Sequence, residues 1–257
     1  VTPLLVLAFA AQAAPPATLP GDVVVPGSGG TWINWTTLRL EAEGAATGIG
    51  VGSMPATLEQ EARAEIGPNL LKRAQDLEVR SGMRVSAILS EPTLGPQVGS
   101  QIGLWEVDEA RYFASGKVVL RASVSIADVL KPWTVSESVD RGDVLVDAPL
   151  VSGVLVDARG VEVTPAFAPR LLDAAGVPVF DGRVWADRAT QATITRYVTD
   201  PAHPAAAMAG ATPMIVVAAG AMGSDLLLTA DDAAALRAQG AVDALRGGAL
   251  VIVVDPP

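Results

Sequence analysis

Residues 32–44 read WINWTTLRLEAEG, and their periodicity sets the fold of the first half of the chain. Leu38, Leu40 and Ala42 alternate with Arg39, Glu41 and Glu43, the period of two expected of an antiparallel strand packed on one face and wet on the other. The chain runs on through Gly48, Gly50 and Gly52 to Pro55, so a strand, a glycine loop and a helix follow one another, as they do around bound phosphates. The spacing is wrong for that purpose. A dinucleotide loop needs G-x-G-x-x-G after a central parallel strand buried on both faces. Here the glycines alternate, the strand has a charged face, and no Gly-Lys-Ser/Thr follows. The three glycines therefore read as a permissive connection.

Ser53 is placed to cap the helix, which carries Leu58, Ala62, Ile66, Leu70, Ala74 and Leu77 down one stripe. Pro68 removes a hydrogen-bond donor in mid-helix and predicts a kink or two abutting helices. MRVSAILS, residues 83–90, reads as a strand followed by a Pro/Gly-containing loop. Ser115-Gly116 then separates two alternating runs, the second presenting Val118, Leu120, Ala122, Val124 and Ile126 on one face, which predicts a β-hairpin. A β-α-β-β-β order with the helix on one sheet face makes a small α+β domain over residues 31–131.

Residues 132–150 lack periodicity and read as a linker to a second α/β domain over residues 151–257. That half has short apolar strands at residues 152–156, 214–218 and 249–254 and a helix opened by Thr229 and Asp232 and closed by Gly240. Continuous apolar strands of this kind suggest a small mixed sheet covered on both faces. Each half then has its own core, and few contacts are expected between them.

At the other end, LLVLAFAAQA, residues 4–13, joins a short apolar run to a small-x-small triplet and a Pro-rich stretch. It reads as a signal peptide over residues 1–13, with residues 14–30 a Pro/Gly-rich linker, and the reading points to a periplasmic protein. No other window suits a membrane helix, so the expected mature chain has no integral membrane segment. Cysteine is absent from the 257 residues, which excludes disulfides and thiolate chemistry. The formal charge of −10 speaks against a nucleic-acid partner.

The segments INWTTLRLEAEG, Asn69-Leu70-Leu71, Ser115-Gly116-Lys117 and GVLVDARGVEVTPAFAPRLLDAAGVPVFDG resemble bacterial periplasmic proteins related to the N-terminal domain of the flagellar ring protein FlgT and the small outer-membrane lipoproteins that share its α+β module. The resemblance implies an exported envelope scaffold or assembly factor without known chemistry. Its implied partners are envelope or flagellar proteins, or further copies of the chain, in an outer-membrane-associated setting. The chain has no cysteine for the lipid attachment of the lipoprotein members.

No catalytic, cofactor-binding or metal-binding constellation is visible. His203, the single histidine, lies between prolines in DPAHPAAAM and reads as solvated. Asp231-Asp232 in a first helical turn suits the helix dipole. The strongest polar signal is VLVDARG, where Asp157 and Arg159 fall on the same strand face. They form either an architectural ion pair or, with Arg170, a polar cleft for a small ligand or a hydrolytic reaction.

Overall fold

The computed structural model describes residues 18–48, 54–136, 151–182, 195–238, 245 and 250–256. The proposed signal peptide, Ser53 with Gly50 and Gly52, residues 137–150 of the proposed linker and Gly240 lie outside them. The fold is α+β, with an antiparallel sheet carrying a helix in the first half and a mixed sheet in the second.

The first sheet has the strand order β1-β2-β3-β7-β6, every pair antiparallel. Its strands are β1 (Val24–Gly27), β2 (Thr31–Asn34), β3 (Arg39–Thr47), β6 (Glu106–Tyr112) and β7 (Lys117–Ser125). Residues 32–44 are thus not one strand. They turn at Trp35–Leu38, where Asn34 Oδ1 accepts the N–H groups of Thr36 at 3.0 Å and Thr37 at 2.9 Å. This closure by an asparagine side chain reverses the chain without interrupting the alternation. Leu38 takes a positive φ of 56° at the corner and remains buried.

Helix α1 (Pro55–Gln75) lies across β3 and β7 and buries Leu58, Ala62, Ile66, Leu70 and Ala74 against them. Pro68 falls inside one continuous helix, so the expected pair of abutting helices is not found. Its N-cap residue is Met54, whose side chain makes no capping bond. The helix approaches the sheet so closely at Gly44 that a β-carbon there would stand 2.0 Å from the Ala62 carbonyl oxygen.

MRVSAILS supplies strand at Met83–Arg84 alone (β5), paired with β4 (Glu78–Arg80). It continues as α2 (Val85–Leu89), because Val85 and Ile88, three apart, both find the core. The Pro/Gly-containing segment after it is helix α3 (Leu94–Ile102), with Gly95 and Pro96 in the first turn, where proline is tolerated. The hairpin at Gly116 is as expected, with φ 77°. Helix α4 (Ile126–Ser136) follows β7 directly and takes up the start of the segment read as linker.

The second sheet has seven strands in the order β10-β9-β13-β12-β8-β14-β11. They are β8 (Val154–Asp157), β9 (Arg170–Leu172), β10 (Pro178–Asp181), β11 (Arg196–Val198), β12 (Met214–Met222), β13 (Asp225–Leu228) and β14 (Leu250–Val253). The three apolar runs expected from sequence form its parallel centre, β12-β8-β14. Coverage on both faces does not extend to β12: Val216 and Ala218 are buried, while Ile215 and Val217 are 65% and 55% exposed. Helix α5 (Ala230–Ala238) opens with the expected cap, Asp232 N–H donating to Thr229 Oγ1 at 3.1 Å.

The contacts that cross between the halves run largely through the corner after β2, residues 19–23 and residues 167–168. Tyr197 of β11 stacks edge-on against Trp35, with ring centroids 5.8 Å apart. Thr36 Oγ1 donates to the Tyr197 carbonyl at 2.5 Å, and Arg196 Nη1 donates to the Thr36 carbonyl at 2.6 Å. Phe167 and Ala168 N–H groups donate to the carbonyls of Glu78 and Val79. One apolar cluster runs from Leu40, Ile66 and Leu120 through to Val156, Leu226 and Ile252. Residues 19–27, read as part of a linker, are built into both sheets: Asp22 bridges to Val198 at the second sheet's edge, and β1 pairs with β2.

Candidate functional site

The end of β8 holds the residues singled out by sequence. Asp157 and Arg159 are joined by two parallel bonds, Nε to Oδ1 at 2.8 Å and Nη2 to Oδ2 at 2.5 Å. The Arg159 hydrogen bonds hold the Asp157 carboxyl below the usual aspartate range, and the same bonds raise Arg159. The pair borders a depression of about 520 Å³ whose other walls include Leu155, Pro204, Ile215 and Val253. Each charge therefore already has its complement, in a fork geometry that fills the donors and acceptors facing one another.

Arg170 is not part of this depression. It starts β9 and pairs with Asp225 of β13, which is 1% exposed and also accepts the Arg170 backbone N–H at 3.0 Å. A charge-assisted pair with a buried aspartate ties two strands together. The three residues expected to line one cleft thus form two separate pairs.

A larger cleft, about 870 Å³, opens where the two halves meet. It draws Asp22 from the segment before β1, Asn34 and Thr36 from the corner after β2, Arg39 and Glu41 from β3, Asp108 from β6, Arg196 from β11, and His203. The charged face of β3, expected to be wet, forms its floor because the second sheet's edge and residues 19–23 lie over that end of the sheet. Arg39 is shared between Ser123 Oγ and Asp108 Oδ1, the latter at 3.1 Å. Glu43 accepts from Arg121 at 2.9 Å and from Arg111, and the Arg121 guanidinium stands 5.4 Å over the Trp32 ring.

Glu41 differs from these neighbours. It is 7% exposed, and among the described residues it makes neither a hydrogen bond nor an ion-pair contact. Burial raises its carboxyl above the ordinary glutamate range despite the nearby Arg121, and Asp108 adds to the rise. Arg196 is its counterpart in the same cleft. Its Nε is buried without an acceptor, and its Nη1 donates to the backbone carbonyl of Thr36. Burial lowers its pKa.

His203 is buried, not solvated, at 6% exposure. Its Nδ1 accepts the Ala205 N–H at 3.1 Å, and its Nε2 stands 3.2 Å from Asp22 Oδ1, neither Nε2 nor Oδ1, both buried, making a hydrogen bond among the described residues. The sequence signals for this cleft were weak. Asp22 and Arg196 lie in unremarkable contexts, and Glu41 looks like any charged residue on a wet strand face.

Among the described residues no group of three or more His, Cys, Asp or Glu side chains is placed to hold a metal ion. No described helix is long and apolar enough to cross a membrane.

Residues 153–256 match the family described as the second domain of Treponema pallidum Tp0624. The match takes in all seven strands of the mixed sheet and α5, and leaves out the first sheet. No curated protein matches the chain.

Proposed function

We propose that this chain is a non-catalytic, exported cell-envelope protein that acts as a scaffold or assembly factor, with flagellar assembly as one setting. The observation that carries this reading is the open face of β12. Ile215 and Val217 project apolar side chains into solvent from a strand in the interior of the sheet order, beside Leu155 and the Asp157–Arg159 pair. Apolar side chains grouped on an uncovered sheet face, with a neutralised ion pair at the edge, suit burial against another protein.

The likeness of residues 153–256 to a second domain supports a modular chain, with 31–131 and 151–257 as building blocks around a common seam. The resemblance to FlgT-related periplasmic proteins and the signal-like residues 1–13 support an envelope location. A small-ligand or hydrolytic role for Asp157, Arg159 and Arg170 is less favoured, since each of these groups is occupied by another.

Site-specific photo-cross-linking in intact cells tests the proposal. A cross-linking residue at position 215 or 217 should give a discrete adduct in the envelope fraction, and one at the equally exposed Leu104 should not give the same adduct. Recovery of the protein from the cytosol, or no adduct from either β12 position, would count against it.

A further inference from the structure

We propose that the cleft between the two sheets binds a small zwitterion, an amino acid or short peptide in chemical class, with its ammonium group on Glu41 and its carboxylate on Arg196. The inference is independent of the scaffold reading, which rests on β12.

Two charges of opposite sign line the same cleft, and neither makes an ion-pair contact among the described residues, although Arg121 and Arg39 lie near enough to Glu41 to favour its charged form. Glu41 is more than nine-tenths buried and has no donor among the described residues. Arg196 has no carboxylate partner among them, and its Nε is dry. Burying an ionised group without a partner is costly, and the surrounding cleft shows that pairing was sterically available. Arg39 reaches Asp108, Arg121 and Arg111 reach Glu43, and Asp22 lies against His203. Glu41 and Arg196 make no such contact with a described charge, one on β3 of the first sheet and the other on β11 of the second.

The lining narrows the ligand. Among the described residues no three donors are placed together for a bare metal ion. A simple anion such as phosphate would find Arg39, Arg121 and Arg196 but would also meet Asp22, Glu41, Asp108 and Glu109, and those like charges disfavour it. A simple amine would suit the acidic side but leave Arg196 uncompensated. A molecule with both charges satisfies both, and Leu19, Ala205 and Met208 offer apolar surface to the chain between them. Asp108 and Asp22 add to the negative potential where the ammonium sits, and Arg121 and Arg39 oppose it. Arg196 spends Nη1 on the Thr36 carbonyl, which holds the guanidinium in place and leaves other N–H groups for a carboxylate.

Calorimetric titration of the full chain with glycine, triglycine and 6-aminohexanoate, which differ in the spacing of their two charges, provides the test. At least one should bind saturably at roughly millimolar concentration or below, and hexylamine and hexanoate, each with one charge, should bind at least ~10-fold more weakly. Glu41→Gln should reduce the zwitterion to the affinity of hexanoate without changing hexanoate itself. Arg196→Met should reduce it to that of hexylamine, and Arg196→Lys, which keeps the charge if the methionine variant misfolds, should retain part of the binding. No saturable binding by any of the three zwitterions would overturn the proposal. So would binding that is indifferent to both Glu41→Gln and the Arg196 variants, or singly charged analogues that bind as well.

Discussion

The end of β8 and the cleft between the sheets are built from the same residue types and arrive at opposite electrostatic states. Asp157 and Arg159 are two residues apart, half in solvent, and satisfy each other through a bidentate fork. Glu41 and Arg196 are brought to one cleft from distant parts of the chain, are mostly withdrawn from water, and make no ion-pair contact with each other or with another described residue. Local pairing costs little and does little. Unpaired charges in a shared cleft are expensive, so they point to a use that the folded chain alone does not supply.

The contrast depends on the two sheets being held against each other, and the largest expected effect comes from breaking that seam. Tyr197 is fully buried between the halves, packs edge-on against Trp35, and exchanges hydrogen bonds with the backbone of Ala166. Tyr197→Ala should cost about 3–5 kcal/mol in urea unfolding, the range for deleting a buried aromatic side chain. A loss below about 1 kcal/mol would mean that the seam is not a stabilising interface. Gly44→Ala disturbs the first sheet alone, by driving a methyl group into the Ala62 carbonyl, and should cost about 1–3 kcal/mol as overpacking. Its effect should add to that of Tyr197→Ala, which a double variant would check.

Asp157→Asn should have the smallest effect, below about 1 kcal/mol at neutral pH, because the pair is exposed and screened. Its sign and pH window follow from the lowered pKa. The contribution of the ion pair is present above the unfolded-state value near 3.8 and is lost as pH falls through the depressed folded value. The difference between wild type and Asp157→Asn should therefore vanish in acid, as read from melting temperatures between pH 2 and 7.

Features governed by neighbours in sequence were legible before the structure. The α1 stripe from Leu58 to Ala74, the Gly116 hairpin, the Thr229 cap and the apolar strands of β8, β12 and β14 all follow from local periodicity or from turn and cap chemistry. Features decided by a single side-chain bond or a distant partner were not. The corner after β2 turns on Asn34 Oδ1, and nothing in the alternation of residues 32–44 announces it. MRVSAILS has strand-forming composition, but Val85 and Ile88 reach the core on a helical turn. Asp157 and Arg159 were legible as a pair because they are two residues apart, although Arg159 lies in the turn after β8 and not on the strand face expected for it. Arg170 was wrongly grouped with them because its partner, Asp225, lies 55 residues further along the chain. His203 and Asp22 illustrate the same limit, as a proline-flanked loop and a glycine-rich segment became buried only by meeting each other.

The opposed states of the two regions are compared most directly by the ligand-free melting temperature of Glu41→Gln beside that of Asp157→Asn across pH. The raised carboxyl of Glu41 means that its contribution to stability is present below the ordinary glutamate value of 4.5 and is lost as pH rises through the higher folded value. Glu41→Gln should therefore match wild type in acid and melt higher at pH 7, by about 2 °C or more, while Asp157→Asn melts slightly lower there. A Glu41→Gln protein that melts below wild type at pH 7 would show that Glu41 is paired after all and contradict the reading of an unsatisfied cleft.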